Sequence, residues 1–266
     1  MKTKRVSVIL IAVAFLAISI LSCINMFSLK SIRVNYSVSD NADTNSIQAK
    51  LDTFIGRNLL FLDESELLSV LWDEPYMEIT SVNKSYPNVL NISIKERREV
   101  YYFQLDEKLY VLSEEGYVLN CLEGQVALDA LNSNLRDKIT LKLDGIEVYG
   151  LIIGAKIKTD SDELLKSVFD MTKKVDLTDC IKAITVNKGI EIEGDALFET
   201  YTGVKICVEK CYDDGLEKIE KAFIAYDTLI TDYQKTYGVI QVYKMDDGNI
   251  RITYEQRELD YDEGGN

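Results

Sequence analysis

An α+β chain carried on one N-terminal transmembrane helix is the architecture the sequence predicts, and three observations lead to it. An uncharged, mostly apolar run extends from Val6 to Phe27. A strand pair is written into residues 79–95 around Tyr86-Pro87-Asn88, behind two helix-start signals. From Tyr101 to Tyr254, short β-rich runs alternate with two amphipathic helices, which predicts a second, strand-rich domain.

The apolar run is long enough to cross about 30 Å of hydrocarbon as a helix, since about 20 residues suffice. Lys2, Lys4 and Arg5 precede it, while Lys30 and Arg33 follow closely. The positive-inside rule therefore favours residues 1–5 in the cytoplasm and everything after Ser28 outside, as a single-pass cell-membrane protein. A cleaved signal peptide fits less well, because neither the length of the apolar core nor the small-x-small cleavage site matches well. Ile20-Leu21-Ser22-Cys23 has the look of a bacterial lipobox, in which Cys23 becomes the lipidated residue of an extracytoplasmic ligand-binding or wall-modifying protein. Against lipidation, the apolar run continues through Ile24, Met26 and Phe27.

After the anchor, Ile32, Val34, Tyr36 and Val38 alternate with polar residues as a strand does. Asn45-x-x-Gln48 opens a short helix with Ile47, Leu51, Phe54 and Ile55 on one face and Gly56 at its end. Asp63-x-x-Glu66 opens another, with Leu67, Leu68, Leu71 and Trp72 at helical spacing and Pro75 closing it. Proline presets φ and asparagine tolerates φ > 0, so Tyr86-Pro87-Asn88 turns the strand 79–85 into its partner, where Leu90, Ile92 and Ile94 form the apolar face. The order is β-α-α-β-β, with two helices on one face of a three-stranded sheet.

That order, "RNLLFLDESELLSVL" (57–71), "YPNVLNISIKER" (86–97) and the turn "SEEGYVL" (113–119) resemble the FtsQ/DivIB family of bacterial cell-division proteins and its POTRA domain. One departure is Glu99, where the family usually has proline. The resemblance implies a POTRA domain over 28–98 and a β domain over 99–256, followed by an acidic tail, 257–266, that frays. It also implies a bitopic scaffold of the division septum, joining single-span partners of the FtsL and FtsB/DivIC type and linking them to septal wall synthesis.

Over 101–119 the runs 101–105, 109–112 and 117–119 predict a meander. Further strands are expected at 139–143, 181–186, 190–193 and 204–208, with helices over 160–174 and from Asp213 or Asp214 onward, the latter with Leu216, Ile219, Ala222, Phe223, Tyr226, Leu229, Ile230 and Tyr233 as apolar residues. The last unit is a hairpin: Val239 to Lys244, a turn at Asp246-Asp247-Gly248-Asn249, and Ile250 to Tyr254.

Chemistry is conspicuous by what is lacking. Histidine is absent, which excludes Ser-His-Asp and Cys-His pairs and His-containing zinc sites. The acidic pairs Asp246-Asp247, Asp213-Asp214 and Glu114-Glu115 fall at turns and helix starts, where carboxylates cap. No glycine-rich phosphate loop occurs, and Cys207-x-x-x-Cys211 lacks a redox or metal spacing; in an extended strand the two would face the same way yet be too far apart to bridge. The net charge of −14 repels nucleic acid. The sequence therefore predicts no enzyme, no cofactor and no small-molecule substrate. Instead the resemblance places partner binding on the final strand, Ile250-Arg251-Ile252-Thr253-Tyr254, with Tyr243 opposite, by strand addition at an open edge. Proline at Thr253 is expected to remove a donor the partner needs.

Overall fold

A computed structural model of the chain describes residues 13–16, 22, 25–37, 43–132, 138–175, 179–188, 195–228, 231 and 234–256. The expectations that concern residues 1–5, Cys23, Val38, 190–193, Leu229, Ile230, Tyr233 and 257–266 lie outside them.

One expectation is overturned at once. Among the described residues no helix is long and apolar enough to cross a membrane. Crossing takes about 20 consecutive helical residues, and no described helix reaches that length. The transmembrane helix, the single-pass localisation and the bitopic scaffold built on them fall together.

The chain divides into two compact units, one ending at Arg97 and one beginning at Arg98. The first is POTRA-like: β1 (Ser31–Ser37), α1 (Thr44–Asp52), α2 (Glu64–Leu68) with a 3-10 turn at Ser69–Leu71, β2 (Met77–Ser85) and β3 (Val89–Glu96). Strand β3 is central, antiparallel to β2 and parallel to β1. Its alternation sends Leu90, Ile92 and Ile94 into a core shared with Ile47, Leu51, Leu59 and Leu67. Asp63 caps α2 by accepting from Ser65 N at 3.0 Å. The cap of α1 is Asp43, which accepts from Ser46 N, and the helix starts ahead of Asn45. Leu68 and Trp72 are 50% and 81% exposed. A helix this short lays only one seam on the sheet, and Leu67 and Leu71 take it; Leu68 and Trp72 sit about 100° further round.

The second unit is built on one large mixed sheet. Its strands are β4 (Glu99–Leu105), β5 (Lys108–Ser113), β6 (Val118–Glu123), β7 (Ile139–Asp144), β10 (Ile181–Asn187), β11 (Ala196–Thr200), β12 (Val204–Val208), β13 (Gly238–Lys244) and β14 (Ile250–Glu255). Among the described residues their order is β14-β13-β12-β11-β10-β7-β4-β5-β6, and a small pair, β8 (Val148–Gly150) and β9 (Lys158–Thr159), stands apart. Strand β7 runs parallel to both β4 and β10, and β13 runs parallel to β12. Helices α4 (Asp162–Val175) and α5 (Gly215–Thr228) bury Leu165, Val168, Phe169, Ile219, Ala222 and Phe223 in the core formed with Tyr101, Ile184, Phe198, Ile206 and Ile240. A further helix, α3 (Gly124–Asn132), packs back on β5 and β6.

The Ser113–Tyr117 turn explains its glycine. Gly116 has φ +79°, and a Cβ there would stand 2.3 Å from the Phe169 ring. Only the absence of a side chain lets α4 lie this close.

Candidate functional site: an open sheet edge

Strand β14 follows from local chemistry. In the turn before it, Asp247 accepts from the Asn249 backbone N–H at 2.9 Å, an Asx turn that reverses the chain. β-branched Ile250, Ile252 and Thr253 then favour extension. The register pairs Tyr243 with Arg251, Val242 with Ile252, Gln241 with Thr253 and Ile240 with Tyr254. Among the described residues no strand pairs with the far side of β14.

The direction of the backbone groups decides what that edge offers. Glu209 N donates to Val242 O at 3.0 Å, so Val242 turns its peptide groups towards β12, and Met245 N donates to Asn249 O on the hairpin side. Because peptide groups alternate along an antiparallel pair, Arg251, Thr253 and Glu255 bond to β13. Ile250, Ile252 and Tyr254 therefore present their N–H and C=O groups outward. Proline at Thr253 would strike the hairpin's own ladder; the outward donor at the centre of the strand belongs to Ile252.

The side chains sort by the same alternation. Ile250, Ile252 and Tyr254 pack, partly buried, against the main core. Arg251 is exposed, and Tyr243, Arg251 and Thr253 lie on the opposite face of the sheet, the one that carries Leu197, Cys207 and Val239. Tyr254 is tied down: its hydroxyl donates to Tyr237 O at 2.9 Å and is 3.1 Å from Gln234 O. Its ring lies over Gly238, where φ is +133° and a Cβ would come within 2.7 Å of it. Through that hydroxyl Tyr254 holds the edge in place.

Below the hairpin lies a polar knot that sequence reasoning missed. Lys218 of α5, 1% exposed, donates from Nζ to the carbonyls of Glu209 at 2.8 Å and Lys210 at 3.1 Å. Burial pulls its pKa below the ordinary lysine value, with Asp213 opposing the shift. Lys244, at the end of β13, donates to Asp214 at 2.6 Å and Asp213 at 3.3 Å. The Asp214 carboxyl is held below its usual pKa by that bond. The pair Asp213-Asp214 thus anchors the hairpin's base. Positive φ at Lys210 and Asp214 marks the turn, which sequence could have flagged only through its run of charged residues.

The two nearby cysteines do not face the same way. The strand ends at Val208 and the chain turns, so Cys207 packs with Leu197 and Val239 while Cys211 enters the main core. Burial pushes the Cys211 thiol up, away from reactivity. Among the described residues no cluster of three or more His, Cys, Asp or Glu could hold a metal. A cavity of about 330 Å³ lies beside α4, floored by Ile157, Leu165 and Phe169 and rimmed by Lys156, Lys158, Lys166, Glu115, Asp162 and Asp170.

Fold and edge define a class: a strand-rich α+β protein whose large sheet ends, among the described residues, in a strand with no strand beyond it. Comparison with known proteins gives that class a relative. The chain is distantly similar to the cell division protein DivIB of Clostridium acetobutylicum, 27% identical over 141 residues, 52% of this chain and 51% of that protein. It is 24% identical over 172 residues to DivIB of Clostridium botulinum strain Hall, covering 64% of this chain and 62% of that one. DivIB of Clostridium tetani matches over 100 residues at 26%. No protein-family model matches. The matched stretch spans between about half and three fifths of the first of these relatives.

Proposed function

We propose that this chain is a non-enzymatic docking protein of bacterial cell division, a scaffold of the DivIB kind. Its POTRA domain is taken as 28–98 and its β domain as 99–256. Partners of the FtsL and FtsB/DivIC type are met by strand addition along β14, with Arg251, Thr253 and Tyr243 on the flanking face giving selectivity. The observation that carries this reading is the outward direction of the peptide groups at Ile250 and Ile252, on a side of β14 with which no described strand pairs, since a sheet edge gives affinity through main-chain bonds and leaves choice to side chains. The distant similarity to DivIB supplies the cellular process.

The test is co-purification of the organism's own FtsB/DivIC-type protein with full-length chain. Ile252→Pro is expected to lose the partner while circular dichroism and cooperative melting persist, because proline is tolerated where its missing N–H faces outward. A folded Ile252→Pro variant that still binds at wild-type level refutes the placement.

A second reading rests on needing no membrane-crossing helix: an extracytoplasmic ligand-binding or wall-modifying protein held by a lipid on Cys23. The cavity beside α4 is of a size that takes small ligands. Cys23→Ser would then release the protein from membranes and abolish a lipid-sized mass increment; unchanged mass and fractionation exclude it.

A further inference from the structure

We propose that the cavity beside α4 binds a small monocarboxylate with an aromatic or branched apolar body, the body resting on Ile157, Leu165 and Phe169 and the carboxylate lying between Lys158 and Lys166. The proposal rests on the ligand-binding half of the second reading above, and needs neither a lipid on Cys23 nor a cell-division partner.

The walls of the cavity follow from the periods of two elements. Residues 156–158 run along the Ser113–Tyr117 turn, where Ile157 N donates to Gly116 O at 2.9 Å. Side chains alternate along such a segment, so Ile157 is buried while Lys156 and Lys158 are exposed. On α4, Leu165 and Phe169 are buried one turn apart, and Asp162, Lys166 and Asp170 form an exposed ridge at the same spacing. One wall is therefore cationic, the other alternates in sign, and the floor is apolar. At about 330 Å³, the space is near the lower end for small-molecule sites: it takes one ring or branched chain with its charged head.

What the rim charges already hold decides the sign of the ligand. Glu115 is engaged, its Oε1 accepting from Lys173 at 2.9 Å. Asp162 is turned to the strand end, where it accepts from the Thr159 N–H at 2.7 Å and from its hydroxyl at 3.0 Å. Lys156 Nζ stands 5.1 Å from the centroid of the Tyr117 ring. Lys158 and Lys166, by contrast, make no ion pair among the described residues, although Asp162 and Asp170 each lie one helical turn from Lys166.

With Glu115 matched by Lys173, three lysines face two carboxylates around the cavity, which leaves one positive charge in excess on a chain whose total is −14. A monoanion balances that excess. A phosphate dianion overshoots it and is repelled by Asp170; a cation leaves Lys158 and Lys166 unmatched and repels them. The carboxylate stays at the rim, where water still reaches it, so it is not stripped of its hydration. Burial of the apolar body then supplies the affinity.

Saturation-transfer NMR on the full chain tests this with 3-phenylpropionate as the probe. A molecule of this size is expected to bind with a dissociation constant on the order of 1 mM. The uncharged 3-phenylpropan-1-ol should bind about fivefold more weakly or worse, and inorganic phosphate should not displace the probe. Lys158→Gln and Lys166→Gln should each weaken the probe by about threefold, and the double variant by about tenfold. Lys166→Arg should keep wild-type binding, and Lys182→Gln, whose lysine pairs with Glu199 away from the cavity, should leave it unchanged. All these lysines are exposed, so circular dichroism should match wild type throughout. No saturation transfer to the probe, an alcohol that binds as tightly, displacement by phosphate, or a folded double variant with wild-type affinity overturns the proposal. Probe binding by a chain whose mass shows no lipid on Cys23 leaves this inference standing and removes the lipid anchor; a lipidated chain that ignores the probe does the reverse.

Discussion

The two ends of the nine-stranded sheet are finished in opposite ways. At the β6 end, the chain covers its own edge: Val118 N donates to Ala155 O at 2.9 Å, Gly154 N to Val118 O at 2.8 Å and Ile157 N to Gly116 O at 2.9 Å, and α3 packs over β5 and β6. At the β14 end no described strand pairs with the far side; the strand is secured from behind, through the Tyr254 hydroxyl and the Lys244 anchor. A bare edge is an aggregation liability that proteins ordinarily blunt. Among the described residues, one end is closed with backbone and the other is braced through side chains.

The sharpest break of this contrast is at the sealed end. Gly116→Ala combines an unfavourable φ with a contact of 2.3 Å against Phe169, so about 3 kcal/mol of stability should be lost. Denaturant unfolding measures it, and a loss under about 1 kcal/mol would mean that the turn and α4 yield freely.

At the braced end, proline distinguishes inward from outward groups. Thr253→Pro removes a ladder donor to β13 and should cost about 2 kcal/mol more than Ile252→Pro, despite the better-packed side chain lost at 252. The melting temperatures of the two variants check this, and the reverse order would mean that the alternation is misassigned. Tyr254→Phe deletes only the hydroxyl that holds Tyr237 O and should cost about 1 kcal/mol, with faster amide exchange along β14 and none along β6.

The smallest effect is electrostatic. Because Lys244 lowers the folded-state pKa of Asp214, the stability this carboxylate contributes is present above the usual carboxylate pKa and is lost as pH falls through the lowered one. Lys244→Gln should therefore flatten the acid limb of a stability–pH profile below about pH 4. An acid limb of unchanged slope would show the pair to be screened at the surface.

How much of this was legible depends on how local each cause is. The β2–β3 hairpin was written in Tyr86-Pro87-Asn88 and the alternation of Leu90, Ile92 and Ile94, and the terminal hairpin in Asp247-Gly248-Asn249. The parallel pairings of β7 and β13 were not, because each unites strands far apart in sequence. Helix α3 and strand β11 are short and gave too few periods to stand out. The membrane span was read from hydropathy over 6–27, and no described helix meets that length. At the candidate site, the strand and its edge were readable from pattern. Which way its amides point, and that the Tyr254 hydroxyl is occupied, depend on Val242, Gln234 and Tyr237, and no local pattern encodes them.

Lys218 carries a last consequence. Its amine is enclosed by the fold and spends its protons on the carbonyls of Glu209 and Lys210, so an acylating reagent can reach it only when the turn between β12 and α5 comes apart. Time-resolved modification of that single amine, read against the surface lysines, would thus act as a clock for local opening at the root of the terminal hairpin.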